Sequence, residues 1–275
     1  MKAVWTGVPF AVIVMTACGP ASDTPADFSA VFDGSAGRWV DLSYAYSDET
    51  IYWPTAEPFS LTEVANGETE AGYFYSAYAF STAEHGGTHL DAPYHFSRDG
   101  MTADRIPLSR LIGPAVVVDV SAKATPDYLV TVEDLEVFEA EYGRIPDGAI
   151  LLIRTGWGDR WPDRKAYLGT ETMGPEAVAE LHFPGIHPDA ARWILENRSI
   201  ASLGIDTPSI DYGQSTGFET HVILYGGDVP GFENVANMGE LPPTGAFVVA
   251  LPMKIEGGSG APLRMVAFVP SPGPA

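Results

Sequence analysis

Three of the six histidines in this chain lie in one short stretch, residues 85–96, which reads HGGTHLDAPYHF. In its second half, two histidines, an aspartate and a proline stand at every second position: His89, Asp91, Pro93 and His95. An extended backbone would direct these alternate side chains to one face. Because proline lacks an amide donor, we also expect the strand to leave its sheet near Pro93.

The first half of this stretch predicts a tight loop. Gly86 and Gly87 disfavour a helix between His85 and His89, and they allow the chain to turn so that the two imidazoles approach each other. Two imidazoles and the Asp91 carboxylate at one point make a three-ligand site for a divalent metal. Three protein ligands leave coordination positions open for water and substrate, which is typical of a catalytic metal site.

The pattern His-x-Gly-Thr-His-x-Asp-x-Pro-x-His resembles the signature of the metal-dependent cyclase family, which includes bacterial kynurenine formamidases and isatin hydrolases. Residues 85–95 match this signature at every fixed position. Further segments are similar to other parts of the family: DLSYAYSDETIYWPTAEPF, LLIRTGWGDRW, GIDTPSID and GFENVANMGELPPTGAFVVALPMKIEGGSGAPLRMVAFV. The resemblance therefore covers residues 41–269.

The resemblance implies a role for each polar residue of the motif. The family's metal ligands correspond to His85, His89 and Asp91, and its acid/base histidine corresponds to His95. The implied cofactor is a divalent metal, manganese or zinc, and mixed imidazole and carboxylate ligands suit both ions.

The family has members with two metal ions and members with one, and this chain carries residues that suit either arrangement. Binuclear members use a further histidine and a glutamate twelve residues later, and His221 and Glu233 have this spacing. Isatin-hydrolase-like members use a single manganese with a glutamine nearby, a role for which Gln214 is the candidate ligand and Glu219 the alternative. By its pattern alone, His221 begins an apolar strand, so a hydrogen-bonded core histidine is the competing interpretation.

These residues predict a metal-dependent amidohydrolase that acts on a C–N bond other than a peptide bond, in a small cyclic amide or an aryl formamide. A divalent ion lowers the pKa of bound water toward about 7, which supplies hydroxide for attack on the amide carbon. The departing nitrogen then needs a proton, which His95 or Glu233 would deliver. Cys18 is the only cysteine, so no thiol nucleophile lies in the rest of the chain.

Two alternatives stay open. A non-catalytic exported metal- or ligand-binding lipoprotein would need His85, His89 and Asp91 but no acid/base group. A cyclising or dehydrating member of the same family would use the same metal for carbon chemistry. The aromatic residues that would wall a flat substrate are Tyr52, Trp53, Phe59, Trp157 and Trp161.

The elements that must position these residues alternate along the chain. Apolar runs predict buried strands at 115–120, 149–155, 201–206, 221–226 and 247–253. Helices are predicted over 131–143, where Thr131 and Asp134 form a capping box, and over 187–199, where Pro188 suits the first turn. This alternation indicates an α/β fold with a mixed, partly parallel sheet. The family resemblance implies a single domain of the swivelling β/β/α type.

The composition restricts the partners of this protein. The chain carries 36 acidic and 15 basic side chains, a formal net charge of −21 at pH 7. Such a surface repels phosphate backbones, so we expect no nucleic-acid partner. The expected partner is a small-molecule aromatic or cyclic amide substrate. The family resemblance also suggests a homo-oligomer, a dimer or larger.

The N-terminal segment predicts export. Residues 1–17 combine a lysine near the start, a short apolar stretch and small residues, which is typical of a signal peptide. The following MTAC resembles the lipobox of bacterial lipoproteins, in which Cys18 would become the lipidated N-terminus. Residues 18–37 would then form a flexible tether and residues 38–275 the hydrolase domain. We therefore expect an outer-membrane lipoprotein at the periplasmic face, held at the membrane by its lipid anchor only.

Overall fold

The computed structural model describes Met1 and residues 29–271. In these residues the chain forms twelve β-strands: β1 (Gly37–Asp41), β2 (Ser60–Glu68), β3 (Phe74–Ser81), β4 (His89–Asp91), β5 (Ile112–Asp119), β6 (Leu129–Val130), β7 (Ile150–Arg154), β8 (Gly185–Ile186), β9 (Ser202–Ile205), β10 (Gly231–Glu233), β11 (Thr244–Pro252) and β12 (Gly260–Pro270). The same residues form six α-helices: α1 (Ser29–Phe32), α2 (Leu108–Leu111), α3 (Val132–Tyr142), α4 (Arg164–Leu168), α5 (Pro188–Asn197) and α6 (Glu219–Gly226).

Eight of the strands form one sheet, in the order β1, β12, β11, β5, β7, β9, β10, β4. Strand β4 also pairs with β12, so seven strands close into a barrel-like ring, and β1 lies outside it against β12. Strands β5, β7, β9 and β10 run parallel to one another, whereas β4, β11 and β12 pair antiparallel with their neighbours. The predicted α/β domain with a mixed, partly parallel sheet is therefore confirmed.

The central strands are apolar along their length because both of their faces are buried. In β5, Val117 belongs to the cluster that fills the ring, whereas Val116 belongs to a second cluster outside it. That outer cluster includes Leu135 of α3 and Ile194 of α5, so the helices cover the outer face of the ring. Continuous apolar runs of this kind are typical of strands covered on both sides.

Both long helices begin where the sequence predicts, α3 after its capping box and α5 at Pro188. At the start of α3, the Asp134 side chain accepts a hydrogen bond from the Thr131 backbone N–H at 2.8 Å, and Thr131 in turn caps the helix. At the start of α5, His187 Nδ1 accepts from the Asp189 backbone N–H at 3.1 Å. The two predicted helices are therefore confirmed.

The prediction of a strand at 221–226 is wrong, because this segment belongs to helix α6. Valine and isoleucine favour strands by propensity, but packing in the folded chain overrides this preference, because a helix here buries one of its faces. The side chain of Val222 is 50% exposed. The buried residues of α6 recur at helical spacing: Thr220, His221, Leu224 and Tyr225.

The predicted signal peptide, the lipobox and the first part of the tether lie outside the described residues. Within residues 29–271, no helix is both long enough and apolar enough to cross a membrane.

Candidate functional site

The HGGTH segment is a tight loop that runs directly into β4. Gly87 has a φ of 57°, a left-handed conformation that favours glycine. A Cβ atom on Gly86 would lie 2.0 Å from the ring of Tyr52, so only glycine fits there. The loop brings His85 next to the side chains of β4, as the sequence predicts.

The first group of candidate metal ligands is formed by His85, His89 and Asp91. His85 Nδ1 lies 2.6 Å from Asp91 Oδ1, and His89 Nε2 lies 3.1 Å from the same oxygen. The candidate ligand atoms of all three residues lie within 4.8 Å of one another. His89 and Asp91 are buried, and His85 is half-buried.

A second group is formed by Asp91, His221 and Glu233, and it shares Asp91 with the first. His221 Nε2 lies 3.3 Å from Asp91 Oδ2 and 3.3 Å from Glu233 Oε1. Helix α6 supplies the histidine, and β10 supplies the glutamate directly opposite His89 in the antiparallel pairing with β4. The Asp91 carboxylate therefore belongs to both groups: Oδ1 faces the first group and Oδ2 faces the second. The predicted pair His221 and Glu233 lies in the second group.

His89 and His221 are oriented so that one ring nitrogen of each faces the ligand groups. His89 Nδ1 lies 3.0 Å from the carbonyl oxygen of Gly87, so Nδ1 carries the hydrogen and Nε2 has the lone pair. That buried Nε2 makes no hydrogen bond. His221 Nδ1 lies 2.6 Å from Asp211 Oδ2, which leaves its Nε2 facing the carboxylates. Histidines held in this way by an acceptor behind the ring are typical of metal ligands, so the residues fit a bound divalent ion.

The charges of the site also favour a cation. Burial raises the pKa of Asp91, but the surrounding His85, His221 and His89 outweigh it and hold this pKa well below its usual range. Burial, and then the charge of Asp91, raise the pKa of Glu233. Two buried carboxyl groups this close repel each other, and a divalent ion between them would remove that repulsion.

Sequence reasoning missed the residues that support the ligands. Asp211 ends the GIDTPSID segment and holds His221. The Tyr225 hydroxyl donates to Asp91 Oδ2 at 2.9 Å, from one turn after His221, a relation visible only once α6 is known to be a helix. Ser259 Oγ lies 3.0 Å from His85 Nε2, and Glu84 Oε2 lies 2.6 Å from the same hydroxyl oxygen.

His95 reaches the site by a different route from the one predicted. The strand ends at Asp91, and Pro93–His95 forms a short 3₁₀ helix instead of continuing as extended chain. This turn stacks the His95 ring on that of His85, with centroids 3.8 Å apart. Burial lowers the pKa of His95 to about 4, although the nearby Asp91 opposes this. His95 is thus a neutral imidazole beside both ligand groups and a member of neither.

In the structure Gln214 contacts His182 and does not line the cavity that holds the two ligand groups, so its role as a metal ligand stays a prediction. Gln214 is exposed, and its Nε2 lies 3.0 Å from the ring of His182, to which the loop before α6 directs it. Glu219, the alternative candidate, is also exposed at the start of α6.

The two ligand groups line a cavity of about 300 Å³. Its apolar wall comes from Ile51, Tyr52, Trp53, Phe96, Pro208 and Phe218. Of the five aromatic residues proposed as substrate walls, Tyr52 and Trp53 therefore line the cavity. Trp161 instead stacks on Tyr44 at 4.1 Å, and Phe59 stacks on Phe80 at 6.1 Å. Trp157 does not line the cavity but is buried in the apolar cluster that includes Ile51 and packs against Trp53.

The sequence is similar to one protein family and to two kinds of hydrolase within known proteins. The family described as "Putative cyclase" matches residues 40–212. Isatin hydrolase of Roseibium aggregatum is 37% identical over 210 residues, which cover 72% of this chain and 77% of that protein. Kynurenine formamidase of Salinibacter ruber is 31% identical over 232 residues, which cover 82% of this chain and 95% of that protein.

Solved structures resemble the whole described fold. Isatin hydrolase A from Ralstonia solanacearum superimposes with a TM-score of 0.80 at 35% identity, over 90% of this chain and 99% of its own. An isatin hydrolase bound to the product analogue thioisatinate superimposes with a TM-score of 0.78 at 30% identity, over 88% of this chain and 96% of its own. On these matches and on the HGGTHLDAPYH motif, the chain belongs to the cyclase family.

Proposed function

We propose that this protein is a metal-dependent hydrolase that breaks the C–N bond of a small cyclic or aryl amide, in the manner of isatin hydrolases or kynurenine formamidases. The observation that carries the proposal is the pair of ligand groups sharing Asp91 beside an apolar, aromatic cavity of about 300 Å³. A flat ring fits such a cavity, and its amide would then face the ligand groups. The relatives named isatin hydrolase and kynurenine formamidase support this choice of substrate.

We propose two divalent ions, manganese or zinc, with Asp91 shared between them. His85 and His89 would complete one site, and His221 and Glu233 the other. When bound, such ions polarise an amide carbonyl and make water acidic enough to attack it at neutral pH. Imidazole and carboxylate ligands suit both metals.

The side chains around this centre have complementary tasks. His95 is neutral at physiological pH, because its pKa of about 4 lies far below 7. It can therefore accept a proton from the attacking water and deliver it to the departing nitrogen. Trp53, Phe96 and Phe218 hold the substrate ring and keep bulk water from it.

A two-substrate assay tests the proposal. The purified protein, loaded separately with manganese and with zinc, is given isatin and an N-formyl aryl amine, and ring opening or deformylation is followed by absorbance. We expect turnover of at least one substrate. If the protein binds one of the two compounds but turns over neither, the non-catalytic lipoprotein is favoured. If it neither binds nor turns over either compound, the proposed substrate class is contradicted.

A variant of His95 tests the proton transfer. We expect His95→Asn to lower kcat by roughly 10²- to 10⁴-fold, which is the usual contribution of a positioned acid/base group. Its metal content should not change, because His95 belongs to neither ligand group. His182→Asn, a matched change at a histidine that does not line the cavity, should keep full activity. Equal kcat in the His95 variant and the parent would contradict the assignment.

We also propose that the chain is exported and anchored through Cys18. The support is the N-terminal sequence alone, a short apolar stretch that ends in MTAC. Fractionation of cells that produce the parent and Cys18→Ala tests this, with the parent expected in the outer-membrane fraction. Recovery of both chains in the cytoplasm would contradict export.

A further inference from the structure

Residues 211–218, which lead into α6, connect a support of the metal ligands to the wall of the cavity. At the start of this segment, Asp211 Oδ2 lies 2.6 Å from His221 Nδ1. At its end, Phe218 lines the cavity, and its ring lies 6.2 Å from that of Trp53 and 5.4 Å from that of Phe96. A displacement of this segment would therefore affect both the second ligand group and the substrate wall.

Phe218 has a backbone conformation that a bulky residue rarely adopts. Its φ and ψ are 47° and 41°, in the left-handed region that favours glycine. Such a conformation costs free energy and persists only where the surrounding structure enforces it. A return to negative φ would turn the Phe218 ring away from its present position. It would also alter the first turn of α6, which carries His221.

Ser215 makes two hydrogen bonds that enforce this arrangement. Its Oγ accepts from the Phe218 backbone N–H at 3.1 Å and donates to Asp211 Oδ1 at 3.2 Å. A hydroxyl group has one hydrogen and two lone pairs, so it can make both bonds at once. Asp211 Oδ2 accepts from the His221 backbone N–H at 3.1 Å, in addition to its contact with the ring. One hydroxyl group therefore bridges the strained end of the segment and the carboxylate that holds His221.

The two halves of the segment differ in how they are held. The first half is packed, because a Cβ atom on Gly213 would lie 2.6 Å from the Leu181 carbonyl oxygen. Residues 214–217 form an exposed turn, in which Ser215 alone is half-buried. Burial therefore holds the exposed turn weakly, and the Ser215 hydroxyl ties it to the packed half.

The sequence around Ser215 has the form of a different kind of site. Residues 213–217 read GQSTG, which matches the nucleophile turn of serine hydrolases. A nucleophilic serine bonds to a histidine, and the acid lies on the far side of the imidazole. Here the acid is in the middle, because Asp211 bonds to the Ser215 hydroxyl through one oxygen and to His221 through the other. This order suits the support of a ligand and not attack on a substrate.

We propose that Ser215 is a positioning residue that couples the cavity wall to the second ligand group. It holds Phe218 in its left-handed conformation and keeps Asp211 directed at His221. The effect of Ser215 on turnover rests on the proposed function, whereas its effect on metal affinity can be measured without any substrate.

A metal titration of Ser215→Ala tests the link to His221. Competition between the protein and a chelating dye for zinc gives the dissociation constants. We expect one of the two constants to rise about tenfold, the lower end of the usual effect of losing a supporting partner behind a ligand. The other should not change, because His85 and His89 are held by other groups. Ser215→Thr, which keeps the hydroxyl, should bind zinc as the parent does.

Steady-state kinetics test the link to Phe218, with isatin or the N-formyl aryl amine as substrate. We expect Ser215→Ala to raise KM by roughly 3- to 10-fold, the equivalent of one hydrogen bond. In a Phe218→Gly background the same change should leave KM unaltered, because glycine adopts a φ of 47° without support and carries no ring. A double-mutant cycle measures this coupling. A merely structural role would give equal losses in both backgrounds.

Thr216→Ala is the matched control, since it removes a hydroxyl from the neighbouring exposed residue. It should equal the parent in zinc affinity and KM, and circular dichroism should show equal folding for all chains. Unchanged zinc affinity in Ser215→Ala, a failure of Ser215→Thr to restore it, or equal KM losses in both backgrounds would overturn the proposal. A parent that turns over neither substrate would contradict the proposed function, and the zinc titration would still decide the role of Ser215. A parent that binds no zinc would overturn both.

Discussion

Asp91 is the residue on which both candidate metal sites depend, because each of its carboxylate oxygens faces a different group. His85 and His89 lie next to Asp91 Oδ1, and His221 lies next to Asp91 Oδ2. The two sites therefore differ in which further residues they need. Variants of single residues can separate them.

Removal of His221 should empty one site and leave the other. We expect the parent to bind two ions per chain and His221→Ala to bind one, as measured by inductively coupled plasma mass spectrometry after dialysis. Gln214→Ala is the control, and it should keep both ions because Gln214 contacts His182 instead. Loss of an ion in the Gln214 variant would show that Gln214 is a ligand.

Asn234 should act as a positioning residue for His89. Its Nδ2 donates to the Gly87 carbonyl oxygen at 2.7 Å, the same oxygen that His89 Nδ1 approaches, and its Oδ1 accepts from the Tyr167 hydroxyl at 2.8 Å. We expect Asn234→Ala to weaken metal binding by about 10- to 100-fold, the usual effect of losing a supporting partner behind a ligand.

Competition with a chelating dye measures this affinity. Asn66→Ala, on the exposed strand β2, is the control and should bind metal as the parent does. An unchanged metal affinity in Asn234→Ala would mean that the Gly87 carbonyl is held in place without it.

At the scale of elements, the loop before β4 determines whether the ligands converge. Gly86→Ala would place a methyl group 2.0 Å from the Tyr52 ring. We expect this overpacking to cost about 1–3 kcal/mol of the free energy of unfolding and to reduce metal binding as His85 moves away. Gly67→Ala, where no atom lies within 4 Å of the added Cβ, should leave both properties unchanged. Thermal melts and metal content of the two variants give the comparison.

The sequence predicts the elements well wherever a local signal determines the structure. Continuous apolar runs identified β5 and β7, a capping box identified the start of α3, and Pro188 identified the start of α5. The sequence predicts a strand where helix α6 lies, because the segment is rich in valine and isoleucine and carries no local helix signal. Its helical form depends on packing against the rest of the fold, which the local sequence does not reveal. The motif likewise predicted His85, His89 and Asp91 as neighbours. Ser259 lies 174 residues from His85 and meets it only in the folded chain, and Asp211, ten residues before His221, reaches it only because the segment after it forms helix α6.

At the scale of the whole molecule, the candidate metal site joins parts of the fold that are far apart in sequence. Its residues come from the loop before β4, from β4 itself, from α6 and from β10. The buried carboxyl groups repel each other without a cation, so bound metal should stabilise the folded state over the unfolded one.

Removal of metal should therefore lower the melting temperature. We expect treatment with EDTA to reduce Tm by several degrees, since about 1 kcal/mol corresponds to roughly 2–4 °C in a chain of this size. Addition of manganese or zinc should restore the original Tm, whereas calcium, which prefers oxygen ligands alone, should not. A Tm that is equal with and without EDTA would contradict a metal bound among these buried residues.

Strand β4 is the segment that closes the ring, and it is only three residues long. Its partners β10 and β12 follow it in the chain by well over a hundred residues, so this pairing closes a long loop, and we expect it to form late in folding. The complete ligand set exists only after that event. Bound ions would then contribute little to the rate at which the chain folds and would act instead on the reverse rate, keeping the closed barrel from opening.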